Sequence, residues 1–510
     1  MIDILLIGAG GAGLTTALSA KALGADVLVV NKHYPTNAQT SMAQGGINAT
    51  LSTVEGDTIE EHIADTLKSA QGLADENMIE ELCKNASASI NWLESIGVPF
   101  SRTENANIAQ RRLGGASANR ACYSQDYTGL KILHTLYDNC LKEDIKFLNE
   151  HYLIDLIKED RVIKGAILLD INSGDIKEVF AKSVVIATGG YSSIYQGFTT
   201  NAYGSTGDGV SAVLRVGGEL RDMEFIQFHP TALKSSSILI SESARGEGGY
   251  LVNSDNKRFI DELLPRDVVA RAIFNEIEDG KSVYLDIRHL GEEKIMELLP
   301  QEVHLCKLHE HIDPVKELIP IKPVAHYSMG GISVDNNLSV NGLKGCFAVG
   351  ECSSAKIHGA NRLGGNSLLE LIVFGKKTGI NAFEYSKNID NTNIDNQALE
   401  NSIKYIDEIY NYPNEINFYH KKDFIGEEFY NKAGILRDGE SLNKLLQTIE
   451  DIKENIEFMG IGDKGKIANS NLVDFLEFTS AITLGEIIVK EAIKRTISVG
   501  AHYRVDGENQ

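Results

Sequence analysis

The chain has 510 residues, 43% of them hydrophobic and 24% charged, and a formal net charge of −22. That length suggests roughly two to four domains with ample core, while the negative balance argues against a nucleic-acid partner or an anionic membrane surface. No apolar run approaches the ~20 residues that span a bilayer and no basic leader precedes an apolar stretch; six scattered cysteines without a C-x-x-C pair give no metal signature and suggest a reduced, intracellular chain.

The chain opens on a buried strand over residues 2–7, a glycine turn, a helix over 11–23 and a second strand over 26–30. Gly8, Gly10, Gly11 and Gly13 carry a G-x-G-x-x-G pattern between that strand and helix. Such glycines permit a tight turn and close approach to a pyrophosphate at a helix N-terminus. Where an acidic residue would grip a ribose, Asn31 and Lys32 stand instead, which disfavours a plain NAD dehydrogenase. Periodicity near 3.6 predicts surface helices over 58–71 and 77–96.

A third strand, 184–187, ends in Ala187-Thr188-Gly189-Gly190, small residues beside which a ring or ribose fits. Asp208, in a glycine-rich turn, is a candidate acceptor from a cofactor hydroxyl. A strand over 345–349 places Glu351 at its C-terminal end, where α/β sheets bind ligands. Each turn alone is more often only a turn; together they favour one large bound dinucleotide, a flavin.

Residues 224–325 mix strands and helices and read as an inserted domain, with the first domain covering 1–223 and 326–390. From 391 to 510 the chain reads as helical, with amphipathic runs at 397–410, 441–456 and 470–494 and a linker at 388–396. The fold class is therefore α/β: a Rossmann-like dinucleotide domain with an inserted α+β cap and a C-terminal helical domain. Before the helical part, residues 358–367 pack a histidine, Arg362 and three glycines ahead of an apolar run. Asn366 or Ser367 is the expected N-cap there. The loop is either a solvated turn or, with Arg362 as a planar fork, an anion site.

Several segments then occur in an order that resembles one family: Met42-Ala-Gln-Gly45-Gly46, Phe228-His-Pro-Thr231, Glu242-Ser-Ala-Arg-Gly-Glu-Gly-Gly249, Pro265-Arg-Asp267 and His326-Tyr-Ser-Met-Gly-Gly331. They resemble the FAD flavoprotein subunits of fumarate reductase and succinate dehydrogenase, together with L-aspartate oxidase, from residue 2 to about 385 and more weakly to 504. The resemblance implies FAD bound by the turns above and by Gln39, Thr40, Gly45, Gly46, Ser367 and Leu368. It implies a C4 dicarboxylate, fumarate or succinate, clamped by His229, Ser241, His326 and Arg362. It also implies that Arg266 donates the proton while Glu242 and Arg245 replenish it, and that the chain is the catalytic subunit of a complex, its electrons coming from an iron–sulfur subunit or another donor. A cytoplasmic location follows, with membrane association only through partner subunits.

Two departures choose among family members. Gln39 occupies the register in which the membrane-bound enzymes carry a histidine covalently joined to FAD, so non-covalent FAD is expected. Leu113, in Arg112-Leu-Gly-Gly115, stands where aspartate oxidase has a glutamate for the substrate ammonium, which disfavours aspartate. The chain also ends soon after residue 504, short of the further stretch usual in membrane-complex subunits. The competing expectations are L-aspartate oxidase and a non-catalytic FAD-binding docking module.

Overall fold

The computed structural model describes residues 1–54, 56–389 and 397–509. Strand β1 (Ile2–Ile7) turns at Gly8 into helix α1 (Gly11–Ala22), and β2 (Val27–Val30) returns parallel to β1 with Ile4 opposite Val27. The turn is as tight as its glycines allow. A Cβ on Gly13 would lie 2.0 Å from the Gly8 carbonyl oxygen, and Gly8 itself has φ 107°. Helices α2 (Ile59–Ala70), α3 (Glu76–Lys84) and α4 (Ala86–Ser95) follow. The single helix expected over 77–96 is broken at Asn85, whose side-chain amide donates to the Glu81 carbonyl while its own backbone leaves the helical region.

After α5 (Thr128–Lys142), β3 (Lys146–Leu148) joins β2 in parallel, and β4 (His151–Glu159), β5 (Val162–Asp170) and β6 (Ile176–Ile186) form an antiparallel meander. Strand β6 serves two layers: its first half pairs with β5, and its second half runs parallel to β1, with Ile7 opposite Ile186. The C-terminal ends of β1 and β6 therefore open side by side, and α6 (Asp208–Arg215) begins just beyond them.

The next stretch builds β7 (Ile226–Leu233), α7 (Glu242–Gly246), β8 (Tyr250–Asn253), α8 (Arg266–Glu278), β9 (Val283–Asp286), α9 (Pro300–His309) and β10 (Ile319–Ser328). Its four strands make an antiparallel sheet in the order β7-β10-β9-β8. Leu233, Ile240, Leu251, Ile273, Leu285 and Ile321 belong to a hydrophobic cluster separate from the main core. Strand β7 is buried at every residue and shifts register on both sides of His229. Such irregularities re-aim a side chain away from regular pairing.

The chain then re-enters the first sheet. β11 (Cys346–Ala348) pairs with β6 in parallel, giving the parallel order β3-β2-β1-β6-β11. Helix α10 (Asn366–Ser386) packs on α1 through Gly375 and Gly379, where a Cβ would press on Thr15 and Ser19. The start of α10 differs from expectation. Gly365, at φ 86°, is the N-cap, because the Asn366 side chain is bonded sideways to Asn48, His62 and Thr66.

Four helices close the chain: α11 (Gln397–Asn411), α12 (Phe418–Lys432), α13 (Gly439–Glu454) and α14 (Ser470–Lys494). Their core residues, including Phe429, Phe475 and Ile488, belong to the same cluster as the parallel sheet. Most of the 388–396 linker expected from sequence, residues 390–396, lies outside the described residues. Helix α12 lies in the stretch read as helical but outside its three amphipathic runs, because it buries only Phe418, Ile425, Gly426 and Phe429 amid charged neighbours.

Candidate active site

A cavity of about 470 Å³ runs from the C-terminal ends of β1 and β6 to the face of the inserted sheet. Gly8, Gly10 and Gly11 line one end, and Ala187, Thr188, Gly189 and Glu351 line the opposing strand ends. Gln39, Thr40, Gly45 and Gly46 form a second wall, with Ser367 and Leu368 at the start of α10. The Thr40 hydroxyl accepts from the Gly11 N–H at 3.1 Å, tying that wall to the glycine turn. Gly13 does not line the cavity; it lets α1 sit against β1.

Asn31 and Lys32 line the far end with Asp208. Lys32 pairs with Asp208 at 2.6 Å and with Glu477 on α14 at 2.5 Å. Asp208 also accepts from the Tyr152 and Thr206 hydroxyls, so it is already engaged rather than free for a cofactor hydroxyl. The Thr188 hydroxyl is buried with no partner, and Glu351, whose carboxylate accepts from the Ser328 N–H at 2.9 Å, is pushed by burial up to about 7. Glycines that leave room for close approach, the free N-terminus of α1 and an unsatisfied hydroxyl fit a large dinucleotide. Gln39 accepts from the Ala202 N–H at 2.9 Å and reaches the Thr200 carbonyl at 3.4 Å, while His33 lines the cavity nearby.

At the other end stand His229, Ser241, Glu242, Arg266 and Arg362, all buried yet lining the cavity, with the half-buried His326. Arg266 donates to Glu242 at 2.7 and 3.2 Å, rather than pairing with Asp267 or Glu262. Arg245 sits behind, 3.2 Å from the other Glu242 oxygen, one turn along α7, and donates to the Glu262 carbonyl. Burial opposes charge on Glu242, yet Arg266 and Arg245 outweigh it and hold the carboxyl down to about 2. Arg362 is lowered to about 10, first by burial and then by Arg266. Its guanidinium lies over the Tyr327 ring at 4.1 Å, and Tyr327 is held by Glu370 at 3.0 Å. His358, the histidine of the same loop, pairs with Glu370 at 2.9 Å and supports that stack from behind.

Gln227 completes the site and gave no signal in the sequence. Its carbonyl oxygen accepts from Arg266 at 3.0 Å and from Arg362 at 3.1 Å, while its amide donates to Asn361 and to the Arg362 carbonyl. One buried amide thus fixes both guanidiniums. His326 is bonded to Thr200 at 2.7 Å, and its ring lies 4.8 Å from that of His229. Burial, with the arginines, pushes both histidines well below their usual value, so both are neutral near pH 7. Ser241 caps α7 with its hydroxyl. Leu113 lines the cavity against Gly45.

The electrostatic result is lopsided. Three guanidiniums, of Arg245, Arg266 and Arg362, face one nearby ionised carboxylate, and the two imidazoles add no charge. An unbalanced buried charge costs several kcal/mol, so the site is built for a doubly anionic guest.

The chain is similar to known proteins along its whole length. A family model described as an FAD binding domain matches residues 3–368, and one described as the fumarate reductase flavoprotein C-terminus matches 422–510. The chain is 39% identical to the 8-methylmenaquinol:fumarate reductase flavoprotein subunit of Wolinella succinogenes, over 99% of this chain and 86% of that one. It is 37% identical to the succinate dehydrogenase flavoprotein subunit of Rickettsia bellii, over 99% and 90%. A solved quinol fumarate reductase of Escherichia coli superposes with a TM-score of 0.95 at 34% identity, covering 100% of this chain and 92% of that one. The chain belongs to the FAD-dependent fumarate reductase/succinate dehydrogenase flavoprotein family.

Proposed function

We propose that this flavoprotein interconverts fumarate and succinate, with the cluster of Arg245, Arg266 and Arg362 around Glu242 as the observation that carries the reading. The residues lining the long cavity would hold FAD, which would supply hydride-transfer chemistry at one carbon of the double bond. The protein clamps the substrate's two carboxylates: Arg362 and His326 take one, and His229 with Ser241 takes the other. Neutral imidazoles donate hydrogen bonds there without adding charge. Clamping both ends fixes the reacting carbons and polarises the double bond.

Arg266 delivers the proton to the second carbon. Arginine is a weak acid, so its loss of a proton has to accompany hydride arrival, and Glu242, ionised and 2.7 Å away, then relays a proton to it from Arg245. Arg245 on the far carboxylate oxygen extends the chain toward Glu262. Gln227 holds Arg266 and Arg362 in register.

Leu113 beside the substrate end gives an ammonium no partner, which favours an unsubstituted C4 acid over aspartate. Gln39, bonded to the 200–202 backbone, cannot form a histidyl link, so the flavin is held without a covalent bond. Electrons arrive from a partner subunit, an iron–sulfur protein by the family's precedent. The residue groups 1–223 with 326–390, 224–325 and 391–510 act as flavin domain, cap and helical domain; the separate hydrophobic cluster within the second supports its treatment as a unit.

The test is anaerobic, dye-driven reduction of fumarate by the flavin-loaded chain. Wild type turns over and Arg266→Ala loses activity while retaining bound flavin; an Arg266→Ala protein that kept most of its rate would remove the proton-donor role. Robust peroxide production from L-aspartate under air would favour aspartate oxidase instead. Acid precipitation should leave a colourless pellet and free flavin in the supernatant, and a fluorescent pellet would contradict the reading of Gln39.

A further inference from the structure

A second set of buried ionisable groups lies outside the site, where the segment before α5 meets α9. Asp126 and Glu302 are both fully buried. One Asp126 oxygen accepts from the first N–H groups of α9, Gln301 at 2.7 Å and Glu302 at 3.1 Å. One Glu302 oxygen accepts from the Ser241 N–H at 2.9 Å, immediately before Glu242. The other oxygen of each carboxyl is buried without a partner, and so are two nitrogens of Arg111, which is stacked on Tyr123 at 3.6 Å.

The charge here does not balance as written. From the flavin side Arg111, Tyr123 and Tyr127 face the pair; from the inserted side come Glu247, Glu297 and Cys306. With Glu247, which lies 3.8 Å from Arg111 and 3.5 Å from Lys294, two cations meet three carboxylates here. Burying the second negative charge costs more than keeping its proton. Asp126, bonded to the Glu302 N–H, then titrates with Glu302 as a unit, and a proton held on either carboxyl, or a water, would satisfy an orphaned oxygen.

We propose that Asp126 and Glu302 form a one-proton carboxyl pair that positions the Ser241–Glu242 turn, so that losing the proton loosens the hold on the dicarboxylate. The proposal rests on the dicarboxylate reading above. Burial raises both carboxyls, Asp126 to about 6 and Glu302 well above its usual value. A raised carboxyl favours the docked arrangement at low pH. That contribution fades as pH climbs from the ordinary carboxyl range through the raised values. Above that window two like charges push apart the start of α9 and the strap at Asp126, and Glu302 carries the Ser241 N–H with it. Neither residue touches substrate; both act through Ser241.

The experiment compares wild type, Glu302→Gln and Asp126→Asn, each flavin-loaded, in dye-driven fumarate reduction between pH 5.5 and 9. Both amides keep the acceptor oxygen but carry no titrating proton. In wild type KM rises severalfold toward high pH with a smaller change in kcat, and in either variant the KM difference against wild type disappears at low pH and grows at high pH. Infrared difference spectra of wild type minus Glu302→Gln at neutral pH should show the C=O band of a protonated carboxyl. Absence of that band overturns the one-proton pair; a band with unchanged KM profiles in both variants overturns the positioning role. A chain that reduces no fumarate at any pH defeats the functional reading, yet the infrared measurement still decides the one-proton pair.

Discussion

Glu242 shows how the site sets its own chemistry one side chain at a time. It is fully buried between two guanidiniums and its pKa falls to about 2. A carboxyl lowered in the folded state stabilises the fold above its ordinary value near 4.5, and that contribution is lost as pH falls toward 2. The shift corresponds to about 3 kcal/mol. Melting of wild type and Glu242→Gln should therefore differ most above pH 5 and converge toward pH 2.5; parallel curves would show that the arginines do not hold this charge. Arg266, Glu242 and Arg245 were legible in the sequence because they sit in short ordered segments. Gln227 was not, although it bridges Arg266 and Arg362. A glutamine within an apolar strand has no pattern of its own, and its value comes from Arg362, 135 residues away.

At the level of elements, the Gly8–Gly13 turn joins β1 to α1 where the cavity begins. Its spacing was readable because glycine there is dictated by contact: a Cβ on Gly13 would stand 2.0 Å from the Gly8 carbonyl oxygen. Gly13→Ala should cost about 1–3 kcal/mol of stability, as overpacking does, and yield protein without flavin absorbance; a stable holoprotein would mean that α1 can shift without spoiling the site. The break at Asn85, the N-cap at Gly365 and helix α12 were less readable. In each, tertiary bonds decide: Asn366 turns toward His62 and Thr66, and α12 is fixed by four residues docking on the main core. The Asp126 cap on α9 joins positions 175 residues apart, a distance no local period encodes.

Across the whole molecule, the parallel sheet and the inserted sheet converge on one cavity, and α14 reaches its far end through Glu477 on Lys32. At the far end the carboxylates outnumber the cation, since Lys32 faces both Asp208 and Glu477. The near end is the reverse: its arginines outnumber the carboxylate between them. The general layout was visible in the order of strands and glycine turns, but this asymmetry required the distances. It has a consequence for evolution as well as catalysis. A site kept overcharged for a guest spends stability whenever the guest is absent. Arg362→Met, keeping the bulk over Tyr327 while removing the charge, should melt higher than wild type without ligand and gain less from added dicarboxylate. If that variant melted lower, the empty site would not be under electrostatic tension. If it melts higher as expected, selection for a hardier resting protein would erode Arg362 first, and its presence would mark a chain held to its work by the molecule it binds.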